Sequence, residues 1–338
     1  MNKDRITLAH GNGGQLMQDL IHDLIVSRFN NTLLNKLDDS AVFDLGNRKK
    51  KIAFTTDSFV VNPIFFPGGD IGKLAVCGTV NDLSVMGAQP LFLSASLIIE
   101  EGFLIDDLRK IIGSMRETVK QANAQIVCGD TKVVNKGYCD KIFINTAGIG
   151  LVDRSACIGS AQARPGDAVI VSGSIGEHGI SILTQREGLR FRTKIKSDCA
   201  PLHSLVKEMM AHKRDIHVMR DPTRGGVAAA LNEIAGHSSV GIVIDEENVP
   251  VSGPVRGACE ILGLDPLYLP CEGRLVAFVA KDRAKGLLNV MRRHPQGKKA
   301  RIVGRVTAGN KKQVYMNTIA GSQRIVDMPI QEQMPRIC

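Results

Sequence analysis

The chain has 338 residues, 43% of them apolar, with 34 glycines, three tyrosines and no tryptophan. That length suits two domains, and the lack of Trp with only three Tyr argues against a stacking platform for single-stranded nucleic acid. The formal charge of +9 is spread over basic runs such as "RKKK" (48–51) and "KKAR" (298–301), which read as solvated surface with some capacity to steer anionic ligands or an acidic partner.

The opening "MNKDRITLAHGNGG" mixes charges and lacks an apolar core, so it does not read as a secretion signal. The longest apolar stretch, "LFLSASLII" (91–99), is far short of the ~20 residues that span a bilayer. A cytoplasmic protein is expected, with no membrane or nucleic-acid partner. The eight cysteines (Cys77, Cys128, Cys139, Cys157, Cys199, Cys259, Cys271 and Cys338) form no C-x-x-C pair. They read as small buried hydrophobes in a reducing compartment and argue against a structural zinc site.

In chain order, a Gly-rich turn "HGNGG" (10–14) opens an amphipathic helix with Leu16, Leu20, Leu24 and Ile25 on one side. "KIAFTTDSFVV" (51–61) predicts a strand, and "DIGKLAVCGTVNDLSVMGAQP" (70–90) a largely buried helix stopped by Gly87 and Pro90. Strand "LFLSASLIIE", helix "IDDLRKIIGSMRETVKQANA", a short buried strand "QIVCGDT" (125–131) and strand "KIFINTAGIGLV" (141–152) follow. The small, polar segment 153–167 contains a Pro-Gly turn and marks a boundary. Strands and helices then alternate again to about residue 324. The pattern predicts an α/β (α+β layered) protein with domains at 1–155 and 156–324. The remainder, 325–338, loses periodicity and reads as a mobile tail ending in Cys338.

The first half carries an unusual number of carboxylates at element ends: Asp38 and Asp39, Asp57, Asp82 and Asp130. Singly, each reads as a cap or turn residue. Asp82 is the exception, because it lies inside an apolar helix where an unpaired charge is expensive. Together they suit Mg²⁺ ions that bridge a polyphosphate, since Mg²⁺ takes oxygen ligands and keeps some waters. Asp39 is the less certain ligand, because neighbours on an extended segment point opposite ways. The loops "HGNGG" (Gly11, Asn12, Gly13) and "DPTRGG" (221–226) open helices and can cradle phosphate, although neither is a Walker or Rossmann fingerprint.

The set "LDDSAV", "TTDSF", "GKLAVCGTVNDLSVMGAQPLF", "CGDTKVV", "ARPGDAVIVSGSIGEHG" and "DPTRGGVAAALNEIA", in this order over nearly the whole chain, resembles the aminoimidazole ribonucleotide synthetase superfamily. That group includes selenophosphate synthetase and thiamine-monophosphate kinase. Within it, "HGNGG", "CEGRL" and the terminal "PRIC" resemble the maturation factors that make the cyanide ligand of [NiFe]-hydrogenase. The resemblance implies an ATP-dependent carbamoyl dehydratase with ATP and Mg²⁺ as cofactors. It implies a two-domain fold whose N-terminal sheets pair into a homodimer.

The resemblance also implies roles. Asp38, Asp57, Asp82 and Asp130 would hold metal, and Gly11, Asn12, Gly13, Asn81, Asp82, Thr131, Asp221 and Arg224 the nucleotide. Lys132 would steady the γ-phosphate or an oxyanion, and Glu272 would take protons. Their plainer readings are a surface lysine and a turn carboxylate paired to Arg274. Cys338 would accept carbamoyl from a carbamoyltransferase and pass cyanide to an iron-scaffold maturation complex. Another synthetase of the superfamily and a non-catalytic nucleotide-binding carrier are the alternatives. A selenophosphate synthetase usually carries a reactive Cys or Sec near its start, whereas no Cys precedes Cys77 here.

Overall fold

The computed structural model describes residues 5–11, 13–46, 49–188, 195–330 and 336–338. The first half comprises α1 (Gln15–Leu20), a π turn (Ile21–Val26), α2 (Ser27–Phe29), β1 (Ala41–Phe43), β2 (Lys50–Phe59), the hairpin β3 (Phe65–Phe66) and β4 (Gly69–Asp70), α3 (Ile71–Val85), β5 (Ala88–Glu100), α4 (Ile105–Gln121), β6 (Gln125–Val134) and β7 (Ile142–Asp153). The second half adds β8 (Ala168–Val171), α5 (Glu177–Arg186), α6 (His203–Met209), β9 (Ile216–Arg220), α7 (Gly226–Ser238), β10 (Gly241–Asp245), α8 (Gly253–Leu262), β11 (Val276–Val279), α9 (Ala284–Arg293), β12 (Arg301–Thr307), β13 (Val314–Asn317) and β14 (Gln323–Ile325). Among the described residues no helix is long and apolar enough to cross a membrane.

Each half is built on one sheet. The first has order β1-β2-β7-β5-β6, antiparallel except for the β5–β6 pair. The second has order β14-β13-β10-β12-β8-β11-β9, with only β10–β13 parallel. Helices cover both faces of the second sheet: α7 on one side, α6 and α9 on the other. Strands β8 and β11 are therefore buried at every residue and read as unbroken apolar runs rather than alternations.

Helix α3 decides the architecture of the first half. Asp70 caps it, its carboxylate accepting from the N–H groups of Gly72 and Lys73. Gly87, in the left-handed region at φ +74°, ends it. The helix lies between the first sheet on one side and α4 and α6 on the others, which is why nearly all of it is apolar. Strand β5 begins at Ala88, three residues before the apolar run, and Pro90 is accommodated beside a register shift.

Two expectations need correction. Leu24 and Ile25, read with Leu16 and Leu20 as one side of an amphipathic helix, are 55% and 40% exposed, because α1 and the π turn lie over the surface. The segment "QIVCGDT" is not a buried strand: β6 is the edge of its sheet, pairing with β5 alone among the described strands, and nearly all of it faces solvent.

Candidate active site

In β2 the side-chain alternation turns Ala53, Thr55, Asp57 and Phe59 toward α3. There Thr55 Oγ1 lies 2.9 Å from Asp82 Oδ2 and 2.9 Å from the Asp39 carbonyl oxygen. The polypeptide after β9 delivers Asp221 from the second half. Carboxylate oxygens of Asp39, Asp82 and Asp221 fall within 4.8 Å of one another. These three, with Asp38 and Asp57, line a cavity of about 530 Å³ between the two halves.

The carboxyls repel one another and are poorly hydrated. Burial, then Asp221, Asp57 and Asp39, hold Asp82 well above the ordinary carboxylate range. Burial and Asp39 push Asp221 up to about 8. Burial pushes Asp39 up to about 6 against the opposing pull of Arg220. Asp57 is raised by burial although Arg224 counters it. Asp221 Oδ2 is buried with no hydrogen-bond partner among the described residues. An all-oxygen donor set whose charges are mutually destabilising fits a hard divalent cation such as Mg²⁺.

Arg220 anchors the far wall, with Nη2 2.7 Å from Glu233 and 3.5 Å from Asp39. Burial opposes its charge, but Asp39, Glu233 and Asp221 outweigh that and hold its pKa above the ordinary value. Gln18 donates to Glu233 at 3.0 Å and so ties α1 to this wall. At the mouth, Arg224 Nη1 donates to the Gly11 carbonyl at 3.2 Å. Gly13 there has φ +78°, and a Cβ on it would stand 2.5 Å from the Arg224 Cβ, so no other residue fits. Asn12 lies outside the described residues.

The structure places the residues expected to hold metal in different surroundings. Asp82 and Asp57 are in the cavity, and Asp39 and Asp221 join them. Asp38 lines the cavity but spends Oδ1 on the N–H and hydroxyl of Ser160, at 2.8 and 2.7 Å. Asp130, Thr131 and Lys132 lie on the exposed edge β6, outside the cavity, with Lys132 bonded to Asp130 at 2.7 Å. Asn81 does not face the cavity. Its amide donates to the carbonyls of Ala200 and Glu272 and accepts from Leu202 N–H, joining α3 to the second half.

Glu272 is 2% exposed and Oε1 has no hydrogen-bond partner among the described residues. It is not paired with Arg274, which instead takes Glu177 at 2.9 Å and Asp198 at 3.8 Å. Burial, then Cys199, Asp221, Asp198 and Asp57, hold its carboxyl well above the usual range. Glu272 is thus close enough to feel both Cys199 and the acid cluster, although it does not line the cavity. The Cys199 thiol is held well above its usual pKa by its hydrogen bond to Cys77 and by burial, and stays protonated.

Residues 336–338 are seated in a groove made by both halves rather than projecting from the surface. Val60 N–H donates to the Cys338 carbonyl oxygen at 3.1 Å and Asn62 N–H to the Arg336 carbonyl at 3.1 Å. Arg186 Nη2 also donates to the Arg336 carbonyl, at 2.9 Å, and His178 Nε2 lies 2.8 Å from the Ile337 oxygen. Arg336 returns bonds to the Val60 carbonyl at 3.0 Å and to Asp140 at 2.6 Å. Val60 lies three residues beyond Asp57 on an extended run, which separates them by about 10 Å.

Residues 37–152 match the AIR synthase related protein N-terminal domain, and residues 164–317 the corresponding C-terminal domain. Carbamoyl dehydratase HypE of Cupriavidus necator is 49% identical over 334 residues, covering 99% of this chain and 95% of that one. The chain belongs to the HypE carbamoyl dehydratase family. It has the AIR synthase-like fold in both halves. A HypE solved with HypF has a TM-score of 0.88 at 51% identity, covering 92% of this chain and 99% of its counterpart. A HypE solved in complex with ATP has a TM-score of 0.83 at 46% identity, covering 99% of this chain and all of that one. HypE proteins are hydrogenase maturation factors, as the name of the solved relatives states.

Proposed function

We propose that this protein uses ATP to remove water from a carbamoyl group on the sulfur of Cys338, leaving a cyano group for the iron of [NiFe]-hydrogenase. The seating of residues 336–338 in a groove of both halves, about one strand-run from the acid cavity, is the observation that carries this reading. The grip on the carbonyls of residues 336–338 and on the Arg336 side chain supports a substrate-like role for Cys338.

The carbamoyl oxygen attacks the γ-phosphorus of ATP, ADP departs, and an imidate phosphate forms. The nitrogen loses its two protons while the C–O bond breaks to release phosphate, and carbon and nitrogen become a nitrile. Asp39, Asp82 and Asp221, with Asp57 beside them, would hold Mg²⁺, which supplies charge neutralisation to a polyphosphate. Arg224 brings a cation to the Asp57 side, and Arg220 fixes Asp39. Glu272 is assigned to receive protons from nitrogen, since a buried carboxyl with a raised pKa is a strong base once ionised.

A carbamoyl-donating protein would load Cys338; one HypE relative has been solved with HypF. An iron-carrying scaffold complex would receive the cyanide. We take the working form to be a homodimer. Phe54, Phe92, Ile98 and Ile149 are exposed on the first sheet, and Val127 and Val133 on its edge strand. Phe54, Ile149 and Phe92 are register neighbours on the outer face of the sheet, and such an exposed apolar face marks an interaction surface.

Intact mass spectrometry tests the reaction. Incubation with the carbamoyl donor system is expected to add one carbamoyl group at Cys338, and ATP to remove one water from it. An adduct confined to another cysteine, or one indifferent to ATP, sinks the reading.

A further inference from the structure

We propose that His178 is a positioning residue that latches the tail through the Ile337 carbonyl and couples its seating to the loop that holds Glu272. The inference rests on the tail-borne reaction proposed above.

His178 is fully buried at the first turn of α5, its ring edge-on to Phe66 at a centroid distance of 5.4 Å. Both ring nitrogens are engaged, and the partners settle which carries the proton. A carbonyl oxygen only accepts, so Nε2, 2.8 Å from Ile337 O, is the donor. Burial lowers the pKa of His178 and keeps the ring neutral, leaving Nδ1 as an acceptor. The Ser197 hydroxyl lies 2.8 Å from Nδ1 and donates to it, while its oxygen accepts the Cys199 N–H at 3.0 Å. The result is one directed chain of hydrogen bonds, from Cys199 through Ser197 and His178 to the tail.

Both ends of that chain matter. The Ile337 carbonyl belongs to the peptide plane that ends at the Cys338 Cα, so holding it orients the residue that carries the reacting group. At the other end, Asp198 of the same loop accepts from the N–H groups of Glu272 and Gly273, each at 3.3 Å. Asn81 grips the carbonyls of Ala200 and Glu272 together, each at 3.2 Å. A seated tail and a placed Glu272 are thus linked through four residues, 197–200. His178 does not line the cavity and holds the tail through its backbone, so its role is to position.

The test compares His178→Ala, His178→Asn and His178→Gln in the full-length protein. The glutamine amide nitrogen reaches about where Nε2 stands, whereas the asparagine nitrogen reaches only about where Nδ1 stands. The first readout is the iodoacetamide alkylation rate of unloaded Cys338, mapped by peptide mass, with exposed Cys157 as internal reference. His178→Ala and His178→Asn are expected to raise it about three- to ten-fold, as the loss of one hydrogen bond implies, and His178→Gln to stay near wild type. The second is the single-turnover rate of ATP-dependent water loss from carbamoylated Cys338. It is expected to fall in Ala and Asn and recover in Gln, with ATP affinity unchanged. An alkylation rate equal in wild type and the Asn variant, or a Gln variant no better than Asn, overturns the latch. If alkylation shifts as expected but wild type loses no water, the latch stands and the dehydration reading falls.

Discussion

Asp221 shows how neighbours set the chemistry of a single carboxyl. It is 5% exposed, and its pKa is pushed to about 8 by burial and by Asp39. Above pH ~8, where Asp221 is ionised, Asp221→Asn relieves the repulsion and is expected to raise the melting temperature without metal, while lowering ATP-dependent activity at least ~100-fold. A thermal melt and a turnover assay on the same preparation check both; an unchanged activity refutes a ligand role. Glu272→Gln is expected to cut dehydration about 10²- to 10⁴-fold while ATP still binds. Substantial dehydration in that variant would remove Glu272 from proton transfer. The sequence made Asp82 readable, because a charge inside an apolar helix demands a reason. It left Asp39 the less certain of two adjacent carboxylates; the fold adds that Ser160 engages Asp38 Oδ1 while Asp39 stands with Asp82 and Asp221. Arg220 and Glu233 carried no motif, although a strand as apolar as "IHVM" that ends in Arg was a signal that a buried charge needed partners.

At the scale of elements, α3 is where both halves meet. Its cap, Asp70, satisfies two N–H groups of the first turn and also accepts from the Ser114 hydroxyl of α4. Asp70→Ala is expected to cost about 1–2 kcal/mol of stability, read as a lower denaturation midpoint with little change in catalytic rate per folded molecule. The helix was legible from its unbroken apolar run. Strand β6 was misjudged because "QIVCG" has the composition of a buried strand, and an apolar edge strand looks the same in sequence as an interior one. Whether such a strand is covered depends on its place in the sheet or on a second chain. Val133→Glu on that edge is expected to turn a dimer into monomers in sedimentation; monomeric wild type would refute the assembly.

For the whole molecule, the clustered carboxyls predict a pH dependence. Folded Asp39 and Asp221 titrate at about 6 and about 8, above their unfolded value of 3.8. The folded state therefore keeps protons that the unfolded state has released. The stability this contributes is complete below pH ~4, falls as pH rises, and is gone above about 8. Without Mg²⁺ the melting temperature is expected to drop between pH 5 and 8.5. Added Mg²⁺ should raise it more at pH 8 than at pH 5, because ligands must be deprotonated. Equal Mg²⁺ shifts at the two pH values would remove the carboxyls as its site.

The seated tail has a kinetic consequence. A group attached to its own receptor is present there at a local concentration on the order of millimolar, whatever the amount of protein. Saturation by substrate then has no meaning for the reacting group, and ATP alone can show it. On the proposed reaction, a partner that loaded or emptied Cys338 would compete with that local concentration. Exchange with other proteins is therefore limited by how often Arg336, Ile337 and Cys338 release their hold on Val60, Asn62, Asp140, His178 and Arg186. Weakening that hold is expected to speed delivery and slow chemistry together.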